Sequence, residues 1–311
     1  MSARVAVILN PTKTDRDAIE THLVEALDAG ASVSWFETSE DDAGQGVAAE
    51  ALRSEPELLL VAGGDGTVRA VIEHLADVQA EVDLGILPLG TGNLLARNLD
   101  VPVDDLPAAI RRAADGNARA VDVGWVDVDL ASGHERHAFV VMVGFGIDAH
   151  MIDETDDDLK SKAGWLAYVE SLGRAFAASD VVPFHLSVDG QPGKDEEGHT
   201  LLIANCGTLP AGLTLLPDAD VADGELDYLL LSAASLPQWV GSLKTMVWDN
   251  GIAKMAARSD ESVSSDTVTY GRARALHVDL PQPHAFEIDG EFLGDAHRFD
   301  VTIQPSGIRV R

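Results

Sequence analysis

Twice in close succession a short apolar run ends at a cluster of glycines and gives way to helical spacing. Leu58 to Ala62 runs into Gly63-Gly64-Asp65-Gly66-Thr67, and Leu84 to Pro88 runs into Gly90-Thr91-Gly92-Asn93. The segments that follow, Val68 to Leu75 and Leu94 to Asn98, read as helices. Junctions of this kind belong to parallel sheets, in which helical crossovers return each strand to the same edge. The rest of the first half keeps that rhythm. Arg4 to Asn10 and Ser32 to Phe36 read as strands, and Gln45 to Arg53 and Leu106 to Ala114 as helices. Ile19, Leu23 and Leu27 fall at i, i+4 and i+8 of a further helix closed by Gly30. Residues 1–124 are therefore expected to form an α/β domain, a parallel sheet with helices on both faces.

From about Gly124 the texture changes. Trp125 to Leu130 alternates, Ala131-Ser132-Gly133 turns, and Ala138 to Val143 runs back as an apolar strand, which is a hairpin rather than a crossover. Further strands are expected at Phe184 to Val188, Leu201 to Asn205, Leu226 to Leu231, Ala275 to Leu280, Ala285 to Ile288 and Phe299 to Ile303. Only two helices, near Lys160 to Ala177 and Gln238 to Trp248, interrupt them. Residues 125–302 thus read as a β-rich, sandwich-like domain, and Asp153 to Asp158 and Ser259 to Asp266 as acidic solvated loops.

The chemistry is expected at the glycine loops. Adjacent parallel strands deliver their C-terminal loops to one edge, where ligands bind. Glycines let the backbone approach a ligand closely, and the helix behind each loop offers unpaired N–H groups and a positive dipole end that suit phosphate. Asp65 would repel phosphate unless a divalent cation sits between, so the loop implies a metal–nucleotide. On that reading Asp65→Ala removes turnover and leaves thermal stability nearly unchanged. The ordinary P-loop is absent, since Gly193-Lys194 is followed by Asp195.

Charge and cysteine content narrow the partners. Asp and Glu number 52 against 22 Lys and Arg, a net charge of −30 that would repel a nucleic-acid backbone. The single cysteine, Cys206, excludes an intrachain disulfide and reads as a buried strand-end residue in a reducing compartment. The longest apolar runs are strand-sized, short of the ~20 residues a spanning helix needs. A cytoplasmic protein reaching any lipid from the membrane surface is expected.

Asn10-Pro11, the Gly63 to Thr67 loop and the run Gly85-Ile86-Leu87-Pro88-Leu89-Gly90-Thr91-Gly92-Asn93-Leu94-Leu95-Ala96-Arg97 together resemble the diacylglycerol kinase catalytic domain family, which includes soluble bacterial lipid kinases and sphingosine kinases. The resemblance continues through Gly144-Phe145-Gly146-Ile147-Asp148-Ala149, through Lys162 with Gly164 to Tyr168, through Pro217 to Asp227, and through Ile288-Asp289-Gly290-Glu291. It implies an ATP- and Mg²⁺-dependent kinase acting on a lipid hydroxyl, diacylglycerol-like, with the nucleotide in a cleft between the two domains. It also implies that the last residues, about 303–311, return to the first domain. By position, Asn10, Thr38, Gly64, Asp65, Gly66, Thr67, Thr91 and Asn93 would contact nucleotide or its magnesium. Asp289 would be the general base and Glu291 would support it, with Asp223 close by. Backbone around Asp220, Asp223 and Glu225 would match a structural metal loop of bacterial members. The family's Asn-Glu after the first loop is here Arg69-Ala70, which weakens any metal role for that helix and makes Arg69 a candidate phosphate contact. Lys13-Thr14 stands where the family has a small Ser-Gly pair.

Two other functions remain open: an NAD kinase-like phosphotransferase, which shares the first loop but carries a Gly-Ser-Thr-Ala-Tyr segment absent here, and a non-catalytic nucleotide or lipid sensor. A homodimer is likewise open. Around Asp289 the residues allow two readings. Extended alternation would put Asp289 and Glu291 on one face, each raising the other's proton affinity. Alternatively Asp289-Gly290 is a hairpin turn between Phe286 to Ile288 and Phe292 to Leu293, a geometry that can coexist with catalysis.

Overall fold

A computed structural model of the chain describes residues 3–28, 30–146, 181–208, 214–232 and 268–311. The two helices expected near 160–177 and 238–248, the acidic stretches 153–158 and 259–266, and the family segments at 147–149 and 162–168 lie outside the described residues.

The first half is doubly wound. Its strands are β1 (Arg4–Leu9), β2 (Ser32–Glu37), β3 (Leu58–Gly63) and β4 (Asp83–Pro88), all parallel and in the spatial order β4-β3-β1-β2. Helices α1 (Arg16–Ala26), α2 (Gln45–Leu52), α3 (Asp65–Asp77), α4 (Leu94–Asn98) and α5 (Leu106–Asp115) connect and follow them. All of β3 and all but the first residue of β1 are buried, as strands covered on both faces must be. Helix α1 packs on α5, and α2 on α3. Asp15 and Asp105 cap α1 and α5 by accepting the N–H of Ala18 and Ala108.

The chain does not break where its texture changes. β5 (Arg119–Leu130) runs straight through that point and pairs antiparallel with β14 (Glu291–Val310) for most of its length. The far end of β14 lies parallel to β4, Arg309 beside Asp83 and Val310 beside Leu84, so the sheet continues from one half into the other. Among the described residues, fourteen strands belong to this sheet. The antiparallel part adds β6 (Gly133–Phe139), β7 (Met142–Phe145), β8 (Val182–Val188), β9 (Lys194–Gly198), β10 (Thr200–Ala204), β11 (Leu226–Leu231), β12 (Val268–Ala273) and β13 (Ala275–Ile288). The fold is an α/β domain joined to a β-rich, sandwich-like one; one apolar core runs from β1–β4 through Val141 and Met142 to Leu202 and Leu229, and a second, around Phe145, Phe286 and Phe299, lies wholly in the β-rich half.

Several elements differ from expectation for identifiable reasons. The single apolar strand expected from Ala138 to Val143 is two, β6 and β7, because the N–H groups of Val140, Val141 and Met142 turn toward the carboxylate of Asp289. The two strands expected at 275–280 and 285–288 are one, β13, irregular between Asp279 and His284 where it exchanges partner β8 for β7. β9 (KDEEG) and β12 (VTYGRA) lack an apolar period, and pairing with β8 and β11 alone makes them strands.

Candidate active site

Strand order marks out one edge of the parallel sheet, the kind of place where α/β folds take ligands. β1 is followed in space by β2 on one side and β3 on the other, so the sheet reverses its winding between β1 and β3. In register, Leu9 faces Ala62 and Glu37, and Gly63 faces Pro88. Asn10, Thr38, Gly64 and the Gly90 loop therefore stand in a row at the C-terminal edge. Asn10 joins the first two loops: its Nδ2 donates to Thr67 Oγ1 at 3.3 Å, and its Oδ1 accepts from the N–H and hydroxyl of Thr12. Thr38 is buried, its N–H donating to the carbonyl of Leu9.

The two glycine loops touch. A Cβ on Gly90 would come 2.8 Å from the Cα of Gly64, so neither loop could approach the other with a side chain there. Asp65 then ties them: Oδ2 accepts the N–H of Asn93 at 2.7 Å and Oδ1 the N–H of Leu94 at 2.6 Å. The carboxylate of the first loop thus caps the short helix α4 behind the second. Asn93, left-handed at φ 48°, closes its own loop by accepting from Gly90 N–H and donating to Gly90 C=O. Gly66 sits in the first turn of α3, and Thr91 stands exposed at the tip of the second loop. The expectation that Asp65→Ala leaves stability nearly unchanged is therefore corrected, because the side chain holds two backbone donors of another element.

The opposite wall is the hairpin between β13 and β14. Asp289 (φ 49°) and Gly290 (φ 84°) are both left-handed, a type I′ turn closed by the Ile288–Glu291 pair. The turn reading holds, and the extended alternation that would have coupled Asp289 to Glu291 does not. Asp289, 5 % exposed, turns inward to accept from Val141 and Met142 through Oδ1 and from Val140 through Oδ2. Glu291 turns the other way, and its Oε2 accepts from Arg69 Nη2 at 2.6 Å. Burial pushes the Asp289 carboxyl up to about 6, against the pull of the Val140 N–H, the Arg69 guanidinium and the other two N–H groups. Burial likewise raises Asp65, opposed by the Leu94 and Asn93 N–H groups, while Glu291 adds to the rise.

Asp65 suits a nucleotide-bound cation. Its two oxygens take the N–H groups of Asn93, Leu94 and Asp65 itself and still keep lone-pair capacity, and a buried carboxyl raised by desolvation would gain from a positive neighbour. One or two carboxylates plus phosphate oxygens are the usual magnesium set. The side chains of Asp220, Asp223 and Glu225 are otherwise engaged. Asp220 accepts from Ala222 N–H, Asp223 accepts from Glu225 N–H and lies 3.6 Å from Arg272, and Glu225 lies 3.7 Å from Arg274. Two guanidinium groups supply the positive charge there, and among the described residues no three His, Cys, Asp or Glu side chains converge as a ligand set. The side chains are thus committed to backbone N–H groups and guanidinium groups, which leaves the backbone carbonyls of the loop as the donors a cation there would need, and no chemistry is drawn through it.

Two features have no signal in the sequence. The Val140–Met142 amide cradle is backbone and is read only once Asp289 is seen in it. Asp122, 1 % exposed, accepts from Gly224 and Ser306 and pins the β14 irregularity to the loop before β11. Cys206 is buried as expected, its thiol directed at the carbonyl of Val140 and its pKa raised by burial.

A doubly wound sheet whose glycine loops stand against the β13–β14 hairpin of a β-rich half, with Arg69 of α3 paired to Glu291 across the junction, is a two-part α/β and β-sandwich architecture. The diacylglycerol kinase catalytic domain family matches residues 4–126, and the YegS C-terminal NAD kinase beta sandwich-like domain family matches residues 141–311. The chain belongs to the diacylglycerol kinase and YegS-like lipid kinase family. A protein of Pseudomonas fluorescens named "Probable lipid kinase YegS-like" is 31% identical over 301 residues, covering 95% of this chain and 89% of its own. The diacylglycerol kinase of Bacillus subtilis is 28% identical over 297 residues, covering 94% of this chain and 90% of its own. In fold, the chain is similar to the crystal structure of a diacylglycerol kinase from Bacillus anthracis, with a TM-score of 0.69 over 99% of this chain and 96% of that one at 18% identity.

Proposed function

We propose that the protein transfers the terminal phosphoryl group of ATP to a lipid hydroxyl, diacylglycerol-like, from the cytoplasmic face of a membrane. The observation that carries this reading is the pairing of the two glycine loops at the C-terminal edge of the parallel sheet with a buried carboxyl, Asp289, on the hairpin opposite. The loops and the first turn of α3 offer backbone N–H groups and dipole to phosphate. Asn10, Thr38, Thr67, Thr91 and Asn93 line or shape that edge, and Gly64 and Gly66 keep it free of side chains. Asp65 would hold magnesium, which supplies charge neutralisation at the β- and γ-phosphates when bound.

On this reading the lipid oxygen forms the new bond to the γ-phosphorus while the bond to the ADP oxygen breaks, and the hydroxyl proton passes to Asp289. Three of the roughly four lone-pair directions of that carboxylate are already filled by backbone N–H groups, leaving one for the proton. The cradle fixes its direction, and a pKa near 6 keeps it ionised at neutral pH while close enough to the operating range to accept. Glu291 holds Arg69 beside it.

The experiment is thin-layer separation of products from labelled ATP offered with diacylglycerol, a sphingoid base, a polyprenol or NAD. Label in a lipid product supports the reading. Label only in the dinucleotide would establish the NAD kinase-like alternative, and label in none of them the sensor.

A further inference from the structure

Arg69 of α3 reaches across to the β13–β14 hairpin and pairs there with Glu291. Its side chain is 14% exposed, and Nη2 donates to Glu291 at 2.6 Å. The pairing is incomplete: Nε is buried with no hydrogen-bond partner. A guanidinium carries five donors in a planar fork, and a single end-on carboxylate contact leaves such a fork poorly used. The other oxygen of Glu291 is equally suggestive. Oε1 lies where a Cβ on Gly66 would come within 2.9 Å, so the carboxylate rests on the first turn of α3 and against the guanidinium at once. Glu291 itself is 55% exposed, a half-solvated anion held at its tip.

We infer that Arg69 is a phosphate-gripping residue of the phosphotransfer site, and that Glu291 occupies its subsite as a stand-in anion until the terminal phosphate of the nucleotide displaces it. The inference rests on the kinase reading above. A phosphoryl group brings three oxygens where the carboxylate brings two, so it can engage Nε and Nη2 together and still face the α3 N–H groups. The exchange places the transferred group beside Asp289, whose carboxyl already feels the same guanidinium. It also makes an arginine, rather than a second carboxylate–metal contact, the charge partner that α3 contributes.

The test is calorimetric titration of ATP and ADP, with Mg²⁺, into wild type, Arg69→Met, Arg69→Lys and Glu291→Gln, each checked for an unchanged melting temperature. Arg69→Met should weaken ATP about tenfold or more, the loss of one charge-assisted contact, with little effect on ADP. Arg69→Lys should recover part of the loss, since it restores charge without the fork. Glu291→Gln should tighten ATP severalfold, because the competing anion is gone. Equal ATP affinity in wild type and Arg69→Met, or weaker ATP binding by Glu291→Gln, overturns the inference and leaves the kinase reading standing. Wild type that binds neither nucleotide overturns both. Should Arg69→Met prove unfolded, Glu291→Gln alone decides, by the sign of its change.

Discussion

Replacing Asp65 with alanine separates a structural role from a chemical one. The side chain holds the N–H groups of Asn93 and Leu94 at 2.7 and 2.6 Å, and both belong to the start of α4, a helix of five residues. Hydrogen bonds to a charged acceptor contribute about 1.5–3 kcal/mol each, and loss of an N-cap typically costs about 1 kcal/mol. Burial of the carboxylate offsets part of this, as its raised pKa indicates. The net loss on Asp65→Ala should be about 2 kcal/mol, which for a chain of this size is a fall in melting temperature of roughly 4 °C. The same free energy should speed amide exchange at Asn93 and Leu94 by about 30-fold if those groups open locally. Thermal melting followed by circular dichroism, with site-resolved hydrogen exchange, measures both. Asp65→Asn keeps one acceptor and should fall between. An alanine variant with unchanged melting and unchanged exchange at these two amides would refute the tie between the loops, whatever happens to its turnover.

Gly90→Ala places a methyl 2.8 Å from the Gly64 Cα and 2.9 Å from Asn93 Oδ1, so it should destabilise by about 1–3 kcal/mol and impair nucleotide binding, both read from melting with and without ATP. Asp289→Asn should lower kcat by roughly 10²–10⁴-fold with ATP affinity retained, and near-normal turnover would leave Asp289 only its place in the turn. Because the folded pKa of Asp289 is raised to about 6, above the ordinary carboxyl value near 3.9, its contribution to stability is present at low pH and lost as pH rises through 6, whereas activity needing the ionised base should rise over that same window. Asp227 is also raised to about 6, so the stability slope should be taken as the difference between wild type and Asp289→Asn rather than from wild type alone. At −30, the protein should act on anionic vesicles faster as salt rises from low values and the Debye length shrinks toward about 8 Å, and a flat or falling response would count against whole-protein repulsion.

What the sequence determined by itself is the part governed by local rules. The helical spacing of Ile19, Leu23 and Leu27, the apolar runs of β1, β3 and β4, and glycine at the loop ends each act within a few residues. They are enough to specify the doubly wound half and the glycine loops at the ends of β3 and β4. Asp-Gly between two apolar stretches allowed a hairpin at 289–290 but did not exclude an extended strand there. Tertiary structure alone decided where the side chains at those places point. Asp289 meets its backbone donors across 147–149 residues of sequence, and Arg69 meets Glu291 across 222. No period or propensity reaches so far, which is why alternation put Asp289 and Glu291 on one face while the left-handed turn sent one inward and the other to an arginine. The division of 138–143 into two strands follows from the same cause: an apolar run specifies burial, and only the incoming carboxylate specifies where its ladder must stop.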